Sequence, residues 1–141
     1  MTGFILLALM AAPPPASLDA VRAEPRLGKR FELAIDFAGA ELARARKTVA
    51  ESGSRPTLEE ALKHVVEGCQ LALDSLRETG KRPNKLSRQY KKGEMRTRAF
   101  VKELTDLALA LSLDDRPTAE QVRDKVQLLH EEFLLGVMGG K

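Results

Sequence analysis

Four stretches of this chain repeat apolar residues at intervals of three and four, and that repetition restricts the fold more than any other feature. The first runs through Phe31, Ile35, Ala38, Leu42, Ala45 and Val49, with Arg44, Lys47 and Glu51 between them. The second is Leu58, Leu62, Val65, Cys69, Ala72 and Leu76. The third is Phe100, Leu104, Leu107 and Leu111, widened by Val101 and Ala108, and the fourth is Val122, Val126, Leu129, Phe133 and Val137. An α-helix turns every ~3.6 residues, so this spacing aligns one apolar face on each helix and requires a neighbour to cover it. No alternating pattern of useful strand length occurs. The spacing predicts helices over 29–52, 57–79, 87–112 and 118–137, each about 30–39 Å long.

Local chemistry at the boundaries agrees. Thr57-Leu58-Glu59-Glu60 and Thr118-Ala119-Glu120-Gln121 match the capping box, with Pro56 and Pro117 directly before them. Gly53 and Gly80 follow the first two helices, where a left-handed closing residue is wanted. Gly39 and Gly68 fall inside helices, where each costs about 1 kcal/mol relative to Ala and is best explained by close helix approach. Short connections favour antiparallel neighbours, so the expected fold is all-α, an antiparallel four-helix bundle. Three long helices with a docked fourth is the second choice. With five Phe, one Tyr and no Trp, the core must be aliphatic. Residues 24–28 are read as a fraying lead-in. The tail Leu134–Lys141 is expected to dock on the bundle rather than to form a small partner-binding strip.

The N-terminus adds a second expectation. Residues 4–12 are all apolar and are followed by Pro13-Pro14-Pro15. Nine residues are too few to cross a bilayer, which takes about 20, but they fit the core of a secretory signal of roughly 7–15. The leader lacks the usual basic residue. Small residues suited to cleavage are Ala12, Ala16, Ala20 and Ala23. The division is a signal and processing region over 1–23 and one domain over 24–141, in a periplasmic or secreted protein, with a cytoplasmic one as the alternative. Cys69 is the only cysteine, so no internal disulfide forms, and its place on an apolar stripe marks a buried, inert thiol.

Charge supplies the functional lead. The net charge is only +3, yet Lys81, Arg82, Lys85, Arg88, Lys91 and Lys92 occur within twelve residues with no acid among them. Arg77, Arg96, Arg98 and Lys102 extend the run, and Arg88, Lys92 and Arg96 share a helix face. The segment 81–98 therefore suits an anionic envelope component or an acidic protein. Tyr90 is the lone ring available for stacking and no DNA-reading motif is present, so specific nucleic-acid binding is not expected. A homodimer is compatible with the broad apolar faces.

No catalytic arrangement is legible, and a non-enzymatic interaction module is expected. His64 lies five residues from Cys69, off the three-or-four spacing of a same-face pair. An alternative role is a metal or cofactor held between His64 and His130, flanked by Glu60, Glu67, Glu131 and Glu132. An exported bundle is similar in architecture to the soluble bundle cytochromes. Cys-x-x-Cys-His is missing, however, and the first helix has no Met. No cofactor is expected. A purely structural domain is the third reading.

Overall fold

The computed structural model describes residues 17–139. The apolar run 4–12, the cleavage candidates Ala12 and Ala16, and the last two residues lie outside the described residues. A short helix α1 (Leu18–Arg22) precedes four long ones: α2 (Leu27–Ala50), α3 (Arg55–Glu78), α4 (Ser87–Ala110) and α5 (Arg116–Val137). A single 3-10 turn, Pro83–Lys85, interrupts the α3–α4 connection. The fold is an all-α bundle.

α2 packs along α3 and α4 along α5, and the two hairpins meet with α2 beside α4 and α3 beside α5. Consecutive long helices are antiparallel, while α2 and α4 run in the same direction. Lys92 pairs with Glu32, and one turn on Arg96 pairs with Asp36 at 3.3 Å. α3 and α5 are likewise parallel: Arg55 pairs with Asp115 at their starts and Arg77 with Glu132 toward their ends. One end of the bundle thus holds the starts of α2 and α4, the ends of α3 and α5, and the 79–86 connection.

The buried residues follow the expected stripes closely. Phe31, Ile35, Leu42, Leu62, Val65, Leu76, Leu104, Val126 and Phe133 are among the fully or almost fully buried. Buried hydroxyls of Ser75 and Thr97 donate to the carbonyls of Leu71 and Gly93, both at 2.7 Å, so neither is left unpaired. Gly68 lies against α2, where an added Cβ would sit 3.0 Å from Ala38 Cβ and 3.1 Å from the Ala34 carbonyl oxygen. That is the close approach expected of it. Gly39 instead faces the Arg96 guanidinium and the Phe100 ring.

A reciprocal interlock joins α4 to α5. Tyr90-x-x-Gly93 on α4 faces Phe133-x-x-Gly136 on α5. The Tyr90 ring lies on Gly136, the Phe133 ring lies on Gly93, and the two rings meet edge to face at 6.1 Å. Residues three apart share a helix face, so each helix offers one ring and one bare backbone to the other. Phe133 also meets Phe31 across the core at 6.3 Å.

Several local expectations are corrected. The helices that follow Pro56 and Pro117 start earlier than Thr57 and Thr118. Ser54 caps α3, its Oγ accepting from the Thr57 amide at 3.3 Å, and Asp115 occupies the cap position of α5. The prolines therefore lie in the first turn, where a missing amide hydrogen costs nothing. Residues 24–28 are not frayed: Arg26 forks onto Glu24 at 3.1 Å, and Arg30 donates to the Glu24 carbonyl oxygen at 2.9 Å. Leu18 and Val21 of α1 belong to the core, Val21 fully buried, so a chain beginning at Glu24 lacks two core residues. The tail does not dock over its described part, 134–139. α5 continues through Val137, and Leu135 and Met138 stand in water at 59% and 74% exposure.

Gly53 does not take the left-handed conformation that closes α2; Ser52 does, at φ +51°. The Gly53 amide bonds the Thr48 carbonyl at 2.7 Å and the Ser52 amide bonds that of Val49 at 3.2 Å, the two bonds of a Schellman closure. A non-glycine residue in this region is strained by roughly 1–2 kcal/mol. Ser52→Gly is expected to raise stability by about 0.5–1 kcal/mol, after the greater freedom of Gly in the unfolded chain is subtracted. Thermal melts should rise by about 2–4 °C; an unchanged or lower midpoint refutes the strain.

Candidate anion-binding end of the bundle

The tertiary structure sorts the basic residues into two groups. Lys92 and Arg96 are taken up by α2: Lys92 Nζ lies on Glu32, and Arg96 reaches Asp36 while lying 5.4 Å from the centre of the Phe100 ring. Arg98 pairs with Glu94 at 3.1 Å and Arg77 with Glu132 at 2.9 Å. Lys81, Arg82, Lys85, Arg88 and Lys91 are exposed and form no ion pair among the described residues.

These five gather at the end of the bundle that carries the 79–86 connection. Lys29, in the first turn of α2, joins them. Because α2 and α4 are parallel and Glu32 meets Lys92, Lys29 and Arg88 each stand about one turn nearer the same end. Two further cations at this end are neutralised, Arg26 by Glu24 and Arg30 by Glu78. α2 and α4 begin without a side-chain cap bond or an acid in the first turn. Their N-terminal dipoles are opposed by the C-termini of α3 and α5 at the same end, so the side chains set the local potential.

The histidines are not brought together. His64 on α3 bonds Glu41 of α2 at 2.5 Å and lies 5.7 Å from the Phe37 ring. His130 on α5 bonds Glu94 of α4 at 3.0 Å through Nε2, and its buried Nδ1 has no partner among the described residues. Each ring is held by a different glutamate at a different hairpin seam. Among the described residues, no group of three or more His, Cys, Asp or Glu side chains is placed to hold a metal.

Glu41 is the hub of the first seam, since Arg44 forks onto it at 2.9 and 3.0 Å and also reaches Glu60 at 3.0 Å. Burial pushes the Glu41 carboxyl up, but the hydrogen bonds from Arg44 and His64 together outweigh it and hold the group below the ordinary glutamate value. A carboxyl depressed in the folded state stabilises the fold above its unfolded pKa of about 4.3, and that stabilisation is lost as pH falls through the folded pKa. Glu41→Gln is therefore expected to lower the urea midpoint at pH 7. The gap to the parent should close as pH is taken from 5 toward 3; a gap constant with pH refutes the assignment.

Cys69 is buried completely, and desolvation pushes its thiol up to about 12, in keeping with an inert core cysteine. No helix of the described residues is long and apolar enough to cross a membrane. No family model, curated protein or solved structure matches the chain. The residues that sequence reasoning missed are Lys29, whose contribution depends on the parallel placement of α2 and α4, and the glycines of the interlock. The repeated ring-x-x-Gly spacing was a signal available in the sequence.

Proposed function

We propose that this protein is a non-enzymatic interaction module that docks end-on against an anionic lipid surface. The observation that carries the reading is the exposed group Lys29, Lys81, Arg82, Lys85, Arg88 and Lys91 at one end of the bundle, where Arg26, Arg30 and Arg77 are paired with acids. Uncompensated like charges clustered at one end repel one another, and an anionic surface relieves that repulsion. Each Lys or Arg held near such a surface contributes about 1 kcal/mol, decaying over a Debye length of about 10 Å at 0.1 M salt. The export expected from residues 4–12 makes an envelope membrane the surface in question.

Co-sedimentation with vesicles tests this. Binding is expected to vesicles containing phosphatidylglycerol, to fall steeply between about 50 and 500 mM salt, and to be lacking with pure phosphatidylcholine. Equal pelleting with neutral vesicles, or binding indifferent to salt, overturns the reading. Tight binding to polyglutamate without vesicle binding shifts it to an acidic protein partner.

A further inference from the structure

Beside the free cations, the last turn of α5, the 80–83 segment and the start of α4 enclose an open cleft of about 700 Å³. That volume falls within the ~300–1,000 Å³ of small-ligand sites. Its apolar lining is Tyr90, Pro83, Gly136, Leu135 and Met138, and its polar rim is Arg77, Lys81 and Glu132. The interlock creates the floor. With no side chain at Gly136, the Tyr90 ring lies on the backbone of α5 and forms the base of the cleft. Burial raises the Tyr90 phenol, so the floor stays uncharged.

The exposed Leu135 and Met138 leave apolar area in water beside two cations, of which Lys81 has no ion pair among the described residues. An inorganic anion would satisfy the rim and leave the apolar wall wet, whereas a neutral hydrocarbon would do the reverse. We infer that the cleft takes one acyl chain of an anionic phospholipid, its phosphate on Lys81 and Arg77 and the chain along Leu135, Met138 and Tyr90. This deepens the membrane reading and rests on it. Glu132 bears on the site directly: it holds Arg77 at 2.9 Å and sets a like charge beside the incoming phosphate. The head group must compete with it.

Tyr90 is the sole tyrosine and the chain has no tryptophan, so tyrosine emission reports on this cleft alone. Titration of the full chain with dodecyl phosphate below its micelle concentration is expected to give a saturable change, with inorganic phosphate and dodecyl maltoside giving none. Lys81→Glu and Leu135→Glu, both at exposed positions, should each weaken binding at least about tenfold, and Glu132→Gln should strengthen it several-fold. An unsaturable signal, equal response to inorganic phosphate or to the maltoside, or parent-like affinity in both weakening variants overturns the cleft assignment. If the protein still pellets with anionic vesicles in that event, the surface reading stands and the cleft inference alone fails. Dodecyl phosphate binding without vesicle binding overturns the membrane as the source of the chain.

Discussion

Gly93→Ala and Gly136→Ala are each expected to destabilise the protein by about 1–3 kcal/mol, although Ala is the better helix former by about 1 kcal/mol. The opposing effects differ in size. A Cβ at Gly93 would enter the Phe133 ring, and one at Gly136 would enter the Tyr90 ring. Both rings are buried, and Phe133 is wedged between Tyr90 and Phe31, so Phe133 cannot turn aside without disturbing the other hairpin, and a shift of Tyr90 breaks its edge contact with Phe133. Overpacking of that kind outweighs a propensity gain. Gly28 near the start of α2 has open space around it, and Gly28→Ala is expected to be neutral or stabilising. Urea unfolding of the three variants decides the matter: a rise in stability at position 93 or 136 like that at 28 shows that the rings give way and that no interlock exists.

Replacing Lys85, Arg88 and Lys91 together by Glu should weaken binding to anionic vesicles at least about 100-fold at 0.1 M salt. Three lost attractions of about 1 kcal/mol each give that factor, and the new acids add repulsion. All three side chains are exposed, so the fold should persist. Lys92→Gln with Arg96→Gln is the contrasting pair. These residues are engaged with Glu32 and Asp36, so their loss should affect vesicle binding much less while loosening the α2–α4 seam. The outcome that defeats the assignment is the reverse order, or equal loss from both. Exposed pairs contribute only about 0–1 kcal/mol each, so the stability change in the contrasting pair is expected to be small.

The basic segment was legible as a run of charge, but not as a site. In sequence, Lys92 and Arg96 share a face with Arg88 and look equivalent to it. Across the bundle they meet the acids of α2, whereas Arg88, one turn nearer the start of α4, pairs with no acid among the described residues. Charge along a chain shows which groups are close in number, while neutralisation depends on groups some sixty residues away. The apolar tail was misjudged for a related reason: hydropathy marked Leu134–Met138 as a segment to be covered, but Gly136 alone faces inward at the end of α5, under Tyr90.

The three-and-four spacing was sufficient for the four long helices, their buried faces and their antiparallel succession, because those depend on each helix hiding its own apolar stripe and on short connections. Both caps erred by three residues; at α3, Thr57 and Ser54 offered competing hydroxyls, a choice that depends on where the preceding loop releases the chain. Which helices stand side by side, and hence which charges cancel, which histidine meets which glutamate and where a cleft opens, was settled only in the assembled bundle. Four stripes of similar width can be arranged in more than one order at nearly equal burial. The order realised here is accompanied by contacts that no single segment contains: two rings seated on two glycines, and a row of ion pairs between parallel helices.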